Sequence, residues 1–206
     1  MEQRTSEWYS ARLGKVTASR VADIIAKTKS GYSASRANYM AELVCERLTG
    51  KSGDNYQSGA MLWGTETEPL ARVAYEAHTG NLVEETGFVP HFVIGNSGAS
   101  PDGLIGEEGL IEIKCPNTST HIDTLLGQSV PGKYITQIHW QMACTDRSWC
   151  DFVSFDPRMP DGLQLFIKRV ERDDNLVQEL QKEVIEFLKE LDAKLEKLTK
   201  LRAEGE

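Results

Sequence analysis

The pattern of apolar positions changes character once along the chain, near Gly80. Before that point apolar residues fall at helical intervals. Ser6 is placed to cap a short helix that stops at Gly14, and Thr17 to cap a second over ASRVADIIAK. From Ser35 to Leu48, the residues Tyr39, Met40, Leu43, Val44 and Leu48 share one helical face, which Thr49-Gly50 ends. A fourth helix is predicted from about Ala60 to His78, closed by Gly80. After Gly80, short apolar runs alternate with Gly, Pro and Asn: GFVPHFVIG, ASPDGLIG and GLIEIKCP. These predict strands of a twisted antiparallel meander. Helices follow near 119–126 and 132–146, then strands in WCDFVSFDP and LQLFIKRVE.

A last helix is predicted from Asp173-Asp174 to about Arg202. Its apolar positions include Leu176, Leu180, Val184, Phe187, Leu191, Leu195 and Leu198. A coiled coil fits these spacings, but one helix supplies only about four heptads, so an amphipathic helix packed on its own domain is preferred. There is no internal repeat and no low-complexity linker. The pattern therefore predicts a single α/β domain over 1–206: a mainly helical part (1–80), a part of sheet and helices (81–172) and a C-terminal helix (173–206).

Composition narrows the class. The chain has 206 residues and a formal net charge of -8. That excludes a surface coated in basic residues for indiscriminate nucleic-acid binding, though not a local basic channel. No apolar run is long enough to span a membrane, and the polar N-terminus does not resemble a secretory signal, so a cytoplasmic location is expected. Cys45, Cys115, Cys144 and Cys150 have no metal-ligand spacing and are expected to be buried thiols. His78, His91, His121 and His139 are scattered and are expected to be structural or exposed.

Charge is unevenly placed. Residues 12–36 carry six basic residues against one acid, a net of +5, and residues 173–206 carry a net of -4. This predicts a basic entry region and a separate acidic appendage.

The chemistry concentrates in Ser100-Pro101-Asp102-Gly103 and, ten residues after Asp102, Glu112-Ile113-Lys114. Alternate side chains of a strand share a face, so Glu112 and Lys114 project together and Ile113 points the other way. A hairpin around Glu107-Glu108-Gly109 brings Asp102 beside Glu112. Two carboxylates and an ammonium on one sheet face suit metal-assisted phosphodiester hydrolysis. Hard divalent cations take oxygen ligands, and a lysine can orient the attacking hydroxide. Unpaired charge in such an apolar strand costs several kcal/mol or more, so these groups are expected to be paired or metal-bound.

Together, SPDG, the ten-residue interval and EIKCP are the signature of the PD-(D/E)xK nuclease superfamily. The chain further resembles the lambda exonuclease, YqaJ-like viral recombinase family. The motifs agree in order: W-x-x-x-R-x-G-x-x-T-A-S spacing at 8–19, LWGTETEP at 62–69, SPDG at 100–103, EIKCP at 112–116, Y-x-x-Q at 134–137 and DPRM at 156–159. The resemblance implies a PD-(D/E)xK core, a twisted central mixed sheet flanked by helices, with the long C-terminal helix appended. It implies an ATP-independent, Mg²⁺-dependent 5′-to-3′ exonuclease with two ions, Mn²⁺ able to substitute. The substrate would be linear double-stranded DNA, degraded to 5′-mononucleotides to leave 3′ single-stranded tails. A ring-shaped homotrimer and a single-strand annealing protein as partner are implied too.

By position, the resemblance makes Asp102, Glu112 and the Ile113 carbonyl metal ligands and gives Lys114 the nucleophilic water. Glu68 would face the second metal, with Glu66 as its rival. Gln137 would hold the water or metal shell, with Gln141 one turn later as its rival. Trp8, Arg12 and Ser19 fall where a pocket for the 5′-terminal phosphate is expected. Two other functions stay open at this point: another PD-(D/E)xK nuclease, such as an endonuclease, and a non-catalytic DNA- or partner-binding protein on the same fold.

Overall fold

A computed structural model describes residues 1–53 and 58–204. In chain order the elements are α1 (Ser6–Arg12), β1 (Val16–Thr17), a 3₁₀ turn (Ala18–Arg20), α2 (Val21–Ile25), β2 (Lys27–Thr28), β3 (Gly31–Tyr32), α3 (Ala34–Thr49) and α4 (Gly59–Thr79). Then follow β4 (Val89–Pro90), β5 (Ser97–Ala99), β6 (Gly103–Ile105), β7 (Gly109–Lys114), α5 (Thr118–Gly127), α6 (Gly132–Thr145), β8 (Trp149–Phe155), β9 (Leu165–Glu171) and α7 (Asp174–Glu204).

The central sheet has the order β6-β7-β8-β9. β6 and β7 form an antiparallel hairpin with Gly103 opposite Ile111. β7 and β8 are parallel, with Glu112 opposite Phe152 and Lys114 opposite Ser154. The helices α5 and α6 make that crossover, as a parallel connection requires. The sheet is therefore mixed, and the antiparallel meander expected from the strand runs is corrected. β5 leaves it altogether: it pairs parallel with β1 and antiparallel with β4 in a separate small sheet. The run GFVPHFVIG contributes only Val89–Pro90 as strand. Beyond it the His91 ring accepts the backbone N–H groups of Val93 and Ile94 through Nδ1 and turns the chain.

Three cores stack through the molecule. Ala71 and Tyr75 of α4 pack on Ile105, Ile111, Ile113 and Val153, one face of the sheet. Ile138 and Met142 of α6 pack on Leu110, Phe152 and Phe166, the other face. The far side of α6, with Trp140 and Cys144, closes a third core with α2, α3 and α7. Helix α7 lies on its own domain: Leu180, Val184, Phe187 and Leu191 are buried there, whereas Leu198 and Leu201 are exposed.

The helix starts differ in detail from the sequence expectation. Thr5, not Ser6, caps α1 by accepting the N–H of Trp8, and the helix ends at Arg12. Thr17 makes no side-chain cap, and the segment after it is a 3₁₀ turn leading into a five-residue helix. Cys45 is exposed and the other three cysteines are buried.

The basic segment and the acidic tail are not separate. Arg36 is almost fully buried and donates to Glu190 of α7 at 2.7 Å, and Lys27 pairs with Glu183 at 3.0 Å. Arg47 reaches Asp192 at 2.8 Å, and Arg20 is held by Asp23 and Glu42. Half of the basic segment thus docks α7 or pairs within its own helices. Among the described residues, no helix is long and apolar enough to cross a membrane.

Candidate active site

Sequence dictates where the acidic strand residues point. In β7, Leu110 and Glu112 share the α6 face, while Ile111 and Ile113 share the α4 face. Glu112 is 1% exposed, an expensive place for a carboxylate without partners. Gln137 Nε2 donates to its Oε1 and Gln141 Nε2 to its Oε2, both at 2.6 Å. The Lys114 ammonium pairs with the same Oε1 from two residues along the strand. The rivalry between Gln137 and Gln141 thus dissolves, since the two glutamines sit one turn apart on α6 and each takes one carboxylate oxygen.

Asp102 immediately precedes β6. Its Oδ2 accepts the backbone N–H of Ile113 at 2.7 Å, which ties it to the strand that carries Glu112. Gly103 is required beside it, because any side chain there would run into Val83. Burial raises the Asp102 pKa well above the ordinary carboxylate range. The charges of Glu112 and Glu68 push it further, against Lys114 and the Ile113 N–H. Burial opposes the charge on Lys114, but Glu112 and Asp102 outweigh it and raise its pKa. The Cys115 thiol is pushed up to about 12 by burial and then by Glu68 and Asp102.

Glu68 comes from α4, which crosses the same end of the sheet. It lines a cleft of about 430 Å³ with Asp102, Ile113, Lys114, Cys115 and Tyr134. Glu66 is exposed. Pro69, inside α4, has no N–H, so the carbonyl of Thr65 at the cleft wall loses its helical donor. Tyr134, first residue of the Y-x-x-Q motif, lies with its ring 5.2 Å from Lys114 Nζ.

The donor chemistry fits a hard divalent cation. Burial first, and then the charges of Glu112 and Glu68, disfavour the ionised form of Asp102 here. A cation held by Asp102, Glu112 and the Ile113 carbonyl would offset this. Among the described residues no three His, Cys, Asp or Glu side chains converge as a complete metal cage. Mg²⁺ binds in that manner, through one or two carboxylates with waters and substrate phosphates filling the rest.

A second pocket opens beside the first. Trp8 Nε1 and Arg12 Nη1 both donate to Ser100 Oγ, at 2.9 and 3.1 Å. The Arg12 guanidinium stacks 4.2 Å from the centre of the Trp8 ring. Trp8, Arg12, Lys15 and Thr17 line a cavity of about 180 Å³. Burial draws the Arg12 pKa down, and nearby Tyr39, Tyr9 and Glu46 offset this only in part, so this cation is poorly solvated. Ser19 is exposed, and its Oγ lies 3.5 Å from Thr17 Oγ1. Trp8 and Arg12 therefore come together, while Ser19 reaches them only through Thr17. Ser100 is the residue that sequence reasoning passed over, although it opens the SPDG motif two positions before Asp102.

A twisted mixed sheet with two carboxylates and a lysine at the end of a hairpin defines a PD-(D/E)xK nuclease fold. The chain belongs to the YqaJ-like viral recombinase family, whose domain model matches residues 7–148. It is similar to an alkaline exonuclease, LHK-Exo, from Laribacter hongkongensis, and to LHK-Exo in complex with dAMP. Each shares 54% identity at a TM-score of 0.92, covering 98% of this chain and 100% of that one. A phage-related exonuclease from Haemophilus somnus 129PT shares the fold at 16% identity and a TM-score of 0.73, covering 89% of this chain and 96% of its own. No curated protein sequence matches the chain. Family, fold and identity place it among the nucleases of recombination.

Proposed function

We propose that the protein is a Mg²⁺-dependent, ATP-independent 5′-to-3′ exonuclease. It would act on linear double-stranded DNA, release 5′-mononucleotides and leave 3′ single-stranded tails for a single-strand annealing partner. The observation that carries this is the two-residue link between Ser100 and Asp102. Ser100 accepts hydrogen bonds from Trp8 and Arg12, which line one pocket, and Asp102 lines the carboxylate cleft. One short segment would then tie a site for the terminal phosphate to the hydrolytic centre, which supports removal of one nucleotide at a time from a phosphorylated end. The complex of the Laribacter relative with dAMP supports a mononucleotide product.

In this account a bound Mg²⁺ supplies Lewis-acid polarisation of the phosphoryl group and a more acidic bound water. The chain's own residues do the rest. Gln137 and Gln141 hold Glu112 in one orientation, as supporting partners do for metal-binding carboxylates. Lys114 orients the attacking water and offsets charge in the transition state. Arg12, with Trp8 and Ser100, holds the 5′-terminal phosphate. Two ions are proposed, with Mn²⁺ able to replace Mg²⁺ and Glu68 serving the second.

A homotrimeric ring completes the proposal. Light scattering at micromolar concentration should return three times the 23.0 kDa chain mass, and a monomer mass would remove the ring. The activity is tested on linear and closed circular duplex, each with Mg²⁺ and with EDTA. Mononucleotides from the linear DNA alone, and only with metal, are expected. Cutting of the circle would favour an endonuclease, and no product from either would favour a binding protein.

A further inference from the structure

The N-terminal segment brings one more cation to the carboxylate cleft. Arg4 donates from Nη2 to Glu68 Oε2 at 2.6 Å, and it lines the cleft with Asp102, Ile113 and Lys114. Its backbone lies in the left-handed region, at φ 68°, which residues bearing a side chain avoid. Such a conformation persists only where its surroundings impose it. Gln3 supplies one restraint, donating from Nε2 to the carbonyls of Thr86 at 2.9 Å and Pro101 at 2.7 Å. Met1 supplies another, its backbone lying so close to Gly87 that a side chain there would collide with it. Thr5, on the other side, is committed to capping α1. Arg4 is therefore clamped from both directions, and one clamp is the carbonyl of the residue before Asp102.

The charges around it are unbalanced in a useful way. Glu68 shares its oxygens between Arg4 and Arg72, the latter at 3.5 Å, so it keeps a cation if Arg4 moves. Among the described residues Glu68 is the one acceptor on the Arg4 guanidinium, and 44% of the Arg4 side chain stays exposed. A planar fork of five donors with a single acceptor has capacity for a second anion of phosphate or carboxylate shape. For the nuclease proposed above, the anion that would reach the mouth of this cleft is a DNA backbone phosphate.

We propose that Arg4 is a DNA-contacting residue that grips a backbone phosphate of the strand entering the cleft, with Glu68 as its resting acceptor. This rests on the nuclease function proposed above. Arg4 takes no part in bond breaking; it holds the strand against the centre formed by Asp102, Glu112 and Lys114.

The test is duplex binding in EDTA, where no cleavage intervenes. A fluorescent 5′-phosphorylated duplex is titrated with wild type, Arg4→Ala and Arg4→Lys from about 50 to 200 mM salt. Arg4→Ala should bind roughly tenfold more weakly, and its log–log salt slope should be shallower by about 0.9, the value of one phosphate contact. Arg4→Lys should keep the wild-type slope, since it keeps the charge, while losing part of the affinity with the fork. An Arg4→Ala protein with wild-type affinity and slope overturns this inference and leaves the nuclease function standing. A wild-type protein that binds no duplex overturns both.

Discussion

Asp102 accepts the backbone N–H of Ile113, so one carboxylate is fastened to the residue between the second carboxylate and the lysine. This bond helps to set the geometry of the centre, beside the side-chain bonds that Glu112 receives. It joins the end of the SPDG segment to the middle of EIK across the hairpin. It also leaves one Asp102 oxygen for another partner. Repulsion from Glu112 and Glu68 makes a cation the fitting one.

The two glutamines on Glu112 should be separable by experiment. Each donates to a buried charge, an interaction worth about 1.5–3 kcal/mol. Gln141 is fully buried, so Gln141→Ala should lower the melting temperature as well as the rate. Gln137 is half-buried and shares its Glu112 oxygen with Lys114, so Gln137→Ala should act mainly on the rate, by about 10- to 100-fold. Steady-state digestion and thermal melting of both variants check this. A Gln137→Ala enzyme at the wild-type rate would show that one amide suffices.

The phosphate pocket makes a prediction about ends. A terminal phosphate carries more charge than an internal diester, and in the proposed function the poorly solvated Arg12 would meet it beside Ser100. Wild type should digest 5′-phosphorylated duplex faster than duplex with a 5′-hydroxyl. Arg12→Ala should lose most of that preference, roughly one to two decades for a charge-assisted bond of about 1.5–3 kcal/mol. Ser100→Ala should lose less, because it removes a neutral partner of Arg12 and Trp8. Equal preference in all three proteins would move the pocket elsewhere.

What could be seen from residue order was the chemistry, and what could not was long-range pairing. Glu112 and Lys114 declare a shared face through strand alternation, and Glu107-Glu108-Gly109 declares the turn that returns Asp102 to them. Ser100 could not be assigned that way, since its partners Trp8 and Arg12 lie 92 and 88 residues earlier. The one available signal was its place at the head of SPDG. β1 is two residues long and carries no periodicity, so nothing local marks its parallel pairing with β5. The Arg36–Glu190 bond spans 154 residues, and without it the basic segment and the acidic helix looked independent. Arg4 precedes the first helix, where no pattern is long enough to signal a role.

Stability should depend on pH through His91. The ring is buried between the turn after β4 and Gln181 of α7, with Nδ1 accepting two backbone N–H groups. Its neutral form therefore carries the proton on Nε2, which the Gln181 side chain can accept only through its amide oxygen. Burial, then the charge of Arg172, lowers its pKa below the ordinary 6.5. The unfolded chain thus binds this proton first as pH falls, and the native state loses stability below about pH 6.5. Melting between pH 7.5 and 5.5 should show the decline, and His91→Asn, which keeps an acceptor without the titration, should flatten it. An unchanged slope in the variant would assign the effect to other groups.

The most direct measurement of the central claim is the digestion rate of Lys114→Ala beside wild type in Mg²⁺, with duplex binding and melting followed on the same samples. Lys114 touches Glu112 and stands at the cleft wall, so its loss should remove the orientation of the attacking water and little of the fold. The rate should fall by about two to three decades or more with duplex affinity close to wild type. The melting temperature should fall only as far as loss of the Lys114–Glu112 pair requires, since Gln137 and Gln141 still hold Glu112. A folded Lys114→Ala protein that keeps most of the wild-type rate would contradict the account and place the hydrolytic centre away from Asp102, Glu112 and Lys114.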